Sequence, residues 1–175
     1  MQLTPEQMLL LTMLVPLSAV PGIILTGRFP NVREGVTIVA SLALIYLVSS
    51  LYCLTTSGVD VVFVTAEMLP LLPLEFHIEP LGMLFSLVAS FLWLVTTVYA
   101  IGYMRGHNEE NQTRFYAFFA VAIASVMGIA YSGNLFTLFI FYEVLTLSTY
   151  PLVTHAGTEE AKKGGRVYLG ILLMT

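Results

Sequence analysis

Charge is what this 175-residue chain has least of: Asp, Glu, Lys and Arg make up 10% of it, against 57% apolar residues. A water-soluble domain carries about 25% charged residues, so a chain with a mean hydropathy of +0.86 has too few polar groups to cover a folded surface in water. The deficit excludes an ordinary soluble domain and points to an all-α integral membrane protein. Basic residues are scarce as well. Seven Lys plus Arg stand against eleven Asp plus Glu, a net charge of -4 that supplies no basic face for nucleic acid. The single cysteine, Cys53, lies in an apolar run and can form no intrachain disulfide. No Gly-rich phosphate loop, CxxC pair or HExxH occurs. No ligand pattern suits flavin, haem, iron–sulfur or zinc, so neither a cofactor nor a resident metal is expected.

What is present is a series of long apolar runs, at residues 8–26, 35–57, 81–104, 115–131 and 135–154. A membrane-crossing helix needs roughly 20 apolar residues. Lipid satisfies no free backbone group, so each run must be helical. A sixth run starts at Val167 and reaches Thr175, too short to cross. The expected architecture is a single membrane domain over residues 1–175, with five transmembrane helices and the start of a sixth over 167–175. Residues 1–7 lack Lys and Arg, and the run after them exceeds a signal-peptide core, so a retained first helix is expected. Pro16 and Pro21 should bend it. Pro80 after Glu79 suits a helix start, and Asn134 suits a cap for the fifth helix.

All seven basic residues fall in three segments on one side: Arg28 and Arg33 in 27–34, Arg105 and Arg114 in 105–114, and Lys162, Lys163 and Arg166 in 155–166. The positive-inside rule then places the N-terminus outside. The segment 58–80 falls outside and carries Asp60, Glu67, Glu75 and Glu79, with Pro70 and Pro73 breaking it. Residues 59–65 and 74–78 read as strands, which suggests a small outer β-like flap between helices two and three. His77 in that flap has no His or Cys partner at ligand spacing and reads as an exposed histidine. The segment with Glu159, Glu160, Lys162 and Lys163 reads as a solvated mixed-charge loop. Gly128 and Ala124 in the fourth run suit a close helix contact.

Glu143 alone among the charged side chains falls inside a run. At the ninth position of a helix starting at Leu135 it lies about 13 Å deep, near mid-membrane. An ionised carboxylate there costs on the order of 2.5–3.5 kcal/mol, so it should stay protonated until a cation approaches. Such a group can take up and release protons. Thr146, Tyr150 and Thr154 follow it at i+3, i+7 and i+11, hydroxyls able to order water. Pro151 leaves the Leu147 carbonyl free on the same side, and His155 stands beyond the helix end, where it could pass protons to Glu143. The competing reading makes Glu143 buried packing glue between helices.

Residues 134–155, NLFTLFIFYEVLTLSTYPLVTH, resemble the fifth helix of the antiporter-like subunits shared by respiratory complex I, Mrp-type multi-subunit cation/proton antiporters and membrane-bound hydrogenases. Residues 114–135, RFYAFFAVAIASVMGIAYSGNL, resemble the preceding helix, and 74–87, LEFHIEPLGMLFSL, resemble the approach to the third, with Glu79 where the family usually has Asp. The resemblance implies that Glu143 is the helix-five glutamate, thought to drive proton movement by pairing with a lysine on a broken seventh helix. It also implies subunits of about fourteen helices built on two inverted repeats, of which this chain holds the N-terminal portion. The lysine must then come from another segment, since Lys162 and Lys163 lie in the expected loop. Taken together, these readings predict a proton-conducting subunit, or the N-terminal part of one, with protonation and release at Glu143. Its expected location is a plasma or other energy-transducing membrane. Its expected partners are the lipid bilayer and other membrane subunits of a respiratory or antiporter complex, with protons as cargo and sodium as a second candidate ion. A non-conducting structural scaffold is the alternative. A stand-alone secondary transporter is disfavoured by the small number of helices.

Overall fold

A computed structural model of the chain describes residues 4–69, 72–107 and 109–174, with the backbone alone at 66–69 and 72. Pro70 and Thr175, used above, lie outside the described residues. The element order is α1 (Pro5–Leu25), α2 (Pro30–Thr56), β1 (Val62–Leu69), β2 (Leu72–His77), α3 (Pro80–Gly106), α4 (Gln112–Ala130), α5 (Leu135–Val153) and α6 (Glu159–Met174). The first five helices are each long and apolar enough to cross a membrane.

The helix ends follow local chemistry. Thr4 and Gln7 form a reciprocal capping box, Gln7 N–H donating to the Thr4 hydroxyl and Thr4 N–H to the Gln7 side chain, which starts α1 earlier than apolarity alone suggests. The helix stays helical through Pro16 and Pro21. Pro30 and Pro80 occupy the first turns of α2 and α3. Asn134 caps α5 as expected, its side-chain oxygen accepting from Thr137 N at 2.8 Å.

Two expectations are corrected at the opposite ends of the helices. Arg33 and Glu34 lie near the start of α2 and are buried, not in a loop. Lys162 and Lys163 are helical too, because α6 begins at Glu159, eight residues before Val167. The physical reason is the Thr158 hydroxyl, which accepts from Ala161 N at 3.1 Å, together with Glu159 and Glu160 in the first turn, where acids complement the helix dipole. Reading charged residues as loop missed a helix whose charged first turns precede its apolar part.

Helix α1 packs on α2 and α4, α2 on α3, and α3 on α4, which closes a ring of four helices around one core; α5 then packs on α4, and α6 on α5. Leu9, Met13, Ile23, Leu44, Val48, Trp93, Ala120 and Met127 fill the ring. Outward faces carry large apolar side chains such as Val39, Tyr46, Leu81 and Phe91, a surface suited to lipid. Gly128 allows α5 to approach α4: a Cβ there would stand 2.2 Å from Phe141 Cδ1. The contact expected at this position is therefore real.

Strands β1 and β2 pair antiparallel with Val62 opposite His77, and irregularities interrupt the register on either side of Glu67. The hairpin is tied to the α4–α5 turn. His77 N–H donates to Tyr131 O and Gly133 N–H to Glu75 O, both at 2.8 Å. Glu75 N–H donates to the Thr137 hydroxyl at 2.9 Å, and the Asn134 amide to Pro73 O at 3.0 Å.

Candidate functional site

The turn that receives the hairpin also launches the helix bearing the candidate acid. Capped at Asn134 and held through Thr137, α5 carries Glu143 as the ninth of its nineteen residues. Only Thr137, Thr146 and Ser148 of this helix are fully buried, and most of its other residues are partly covered. Glu143 is partly exposed and its neighbours one turn away, Phe139 and Leu147, are 57% and 55% exposed. The carboxyl lines a cleft of about 560 Å³ between α5 and α6, whose walls include Phe136, Phe139, Tyr142, Leu172 and Leu173. Among the described residues it has no hydrogen bond or ion pair.

The other expected residues are split between two places. Thr146 is buried at 3% exposure, one turn beyond Glu143. Tyr150 and Thr154 belong together: the Thr154 hydroxyl donates to Tyr150 O at 2.9 Å. Both press against α6 at Gly165, where a Cβ would stand 2.3 Å from Thr154 Cγ2. Beside them the hydroxyls of Thr149 and Tyr168 lie 3.1 Å apart across the two helices. His155 sits past the end of α5, its ring edge-on to Phe115 with centroids 5.5 Å apart. Neither ring nitrogen has a hydrogen-bond partner among the described residues. Burial foremost, and then the Arg114 guanidinium, lower the pKa of His155 from its ordinary value. It borders a polar cleft of about 390 Å³ shared with His107, Glu109, Glu110 and Arg114. No hydrogen bond among the described residues links Glu143 to any of these groups.

A second ionic constellation escapes a reading by composition. At the start of α2, Glu34 takes two hydrogen bonds from Arg105 of α3, one of them from Nε at 3.1 Å, and lies 3.7 Å from Arg33. Arg105 also donates to the Asn31 side chain. Arg33 donates to Thr113 at 3.1 Å and to Gln112 at 2.7 Å on α4, with its guanidinium carbon 5.2 Å from the Tyr116 ring centroid. One buried carboxylate and two guanidinium groups thus clamp three helices together. The consecutive Arg-Glu pair beside a proline helix start was the only local signal. His77 lies at the end of β2, not free but 3.1 Å from an Asp60 carboxylate oxygen. No group of three or more His, Cys, Asp or Glu able to hold a metal is present among the described residues.

Comparison with known proteins adds independent findings. Residues 71–116 match the family model described as NADH-ubiquinone oxidoreductase (complex I), chain 5 N-terminus, which takes in β2, α3 and the start of α4. The chain is 34% identical over 84 residues to NADH-quinone oxidoreductase subunit N of Desulforudis audaxviator, covering 48% of this chain and 17% of that one. It is 28% identical over 102 residues to Na(+)/H(+) antiporter subunit A1 of Staphylococcus aureus, 57% of this chain and 12% of the relative. It is 32% identical over 82 residues to the chloroplastic NAD(P)H-quinone oxidoreductase subunit 5 of Chara vulgaris, 47% and 12% respectively. The fold is that of a chain in the membrane-bound sulfane sulfur reductase, an archaeal respiratory membrane complex, with a TM-score of 0.78 at 18% identity over 92% of this chain and 33% of that one. The matched stretches thus span less than a fifth of these curated relatives.

Proposed function

We propose that this chain, which belongs to the antiporter-like membrane subunit family, is a proton-conducting subunit, or the N-terminal part of one, within a multi-subunit ion-translocating complex of an energy-transducing membrane. Its N-terminus faces outward, and the hairpin caps the outer face. The observation that carries the reading is Glu143: an acid at the middle of a spanning helix, without a hydrogen bond or ion pair among the described residues, lining a cleft between α5 and α6 walled by aromatic rings and leucines.

A cation brought to the cleft by a neighbouring segment, a lysine in our reading, favours the ionised form, and the proton leaves. Withdrawal of the cation draws a proton back. Thr146, Tyr150, Thr154 and His155 form the proton route toward the basic end, with water joining groups that lack direct hydrogen bonds. The partners are other membrane subunits and the bilayer, and the cargo is the proton. A sodium requirement would show as sodium-dependent flux in vesicles.

Glu143→Gln in the assembled complex is expected to abolish coupled proton translocation while assembly and any redox activity persist. Unchanged translocation would refute the assignment. Loss of the complex on blue-native gels, with flux per assembled complex retained, would make Glu143 packing glue instead.

A further inference from the structure

The His155 ring aside, every buried polar side-chain atom left without a hydrogen bond among the described residues lies within the ring of α1–α4. They are Arg33 Nε, the Tyr116 hydroxyl, the Thr97 hydroxyl, the Trp93 indole N–H and the Tyr131 hydroxyl, which stands beside Ser86 without a hydrogen bond of ordinary geometry. Trp93 and Tyr116 are 1% exposed and Thr97 2%. Native interiors rarely keep unpaired buried donors, so five in one four-helix core need a common explanation.

Their heights supply one. The Glu34 contacts put Arg33 and Arg105 at one level. At 1.5 Å per residue along α2 and α3, Thr37 follows about 6 Å further on, Thr97 and Ser41 about 12 Å, Trp93 about 18 Å, Ser90 about 22 Å and Ser86 about 28 Å. A polar group therefore recurs at intervals of about 6 Å along the whole core. Several hydroxyls in the series already donate to their own helices: Thr37 to Arg33 O at 3.1 Å, Ser41 to Ile38 O at 2.8 Å, Ser86 to Met83 O at 2.9 Å and Ser90 to Leu87 O at 3.0 Å. Their oxygens keep lone pairs to accept with, while the unpartnered indole N–H and guanidinium N–H can only donate. Water accepts from one set and donates to the other, and a buried water typically makes about three such bonds.

We propose that the seam enclosed by α1–α4 holds separate buried water molecules, each bridging unpartnered groups at points between the Arg33–Glu34–Arg105 cluster and Tyr131, apart from Glu143. The chemistry selects water over an ion. The groups along the seam beyond the cluster are neutral, and two guanidinium groups against one carboxylate leave a positive charge at its end that repels cations. The proposal does not depend on the proton-transfer reading of Glu143.

The test uses the full chain in lipid and its only tryptophan, Trp93. Water-edited solid-state NMR should show magnetisation passing from water to the Trp93 indole proton. Absence of that transfer, with water-facing residues still detected, would overturn the proposal. Thr97→Val gives a second readout on an almost isosteric variant. Removing a water-bridged hydroxyl should lower the melting temperature, whereas a rise would mean that the hydroxyl was bare and the seam dry.

Discussion

Replacing Glu34 by Gln tests the electrostatic clamp at its centre. The substitution keeps the side-chain shape but removes the negative charge that pairs with Arg33 and Arg105, the only one to do so among the described residues. Arg33 is 4% exposed, so its guanidinium is left in the core with Thr113, Gln112 and the Tyr116 ring as its remaining partners. Removing one member of a buried ion pair costs about 3–5 kcal/mol. Because those neutral partners persist, we place the loss near the lower figure, about 3 kcal/mol. Arg105 is open to solvent and receives no share of it. For a chain of this length about 1 kcal/mol moves the melting temperature by roughly 2–4 °C, so a fall of about 6–12 °C is expected. Fluorescence of the buried Trp93 during thermal unfolding in detergent would report it. Replacing Arg33, Glu34 and Arg105 together by Met should recover most of the loss, since an apolar core of similar volume avoids burying charge. A Glu34→Gln shift under about 2 °C would refute the clamp, and so would a triple variant less stable than the single one.

Three other outcomes follow from the geometry. Glu143→Gln should remove coupled translocation and leave assembly intact, measured as described above. Gly165→Val should push α6 away from Thr154 and Tyr150, costing about 1–3 kcal/mol by overpacking. A disulfide engineered across the α5–α6 contact should then form more slowly, and an unchanged rate would refute the contact. For His155 the folded pKa is lowered, so below about pH 6.5 the unfolded chain binds the extra proton first. Stability is therefore full above that pH and falls as pH drops through it. Melting temperatures of wild type and His155→Gln from pH 8 to 5 should diverge on the acid side, and parallel curves would sink the assignment.

The spans were legible because lipid imposes one simple rule: a long run without charge must be a helix. The Asn134 cap, the Pro80 helix start and the central height of Glu143 were equally local properties. What stayed hidden depends on partners distant in the chain. Arg33 bonds Thr113 across eighty positions and Glu34 bonds Arg105 across seventy-one, so beyond their own adjacency after Pro30 no local feature marks either as buried. The start of α6 was missed because its first turns are charged, although Thr158 caps them well. That Glu143 would line a cleft beside α6, without a hydrogen bond or ion pair among the described residues, depends on how α5 packs. Periodicity alone does not disclose it.

The hairpin's attachment has a consequence for biosynthesis. Glu75 finds its hydrogen-bond acceptor, Thr137, sixty-two residues later in the chain. At about 5–20 residues per second of synthesis, the strands wait roughly 3–12 s before the turn that holds them has been made. Over that interval β1 and β2 lack these bonds to the α4–α5 turn, and an isolated two-stranded hairpin is marginal in water. Their docking is therefore a late step in maturation. It acts as a latch that closes only after α4 and the turn into α5 have been made, so hairpin order reports that synthesis has passed the first turn of the fifth helix.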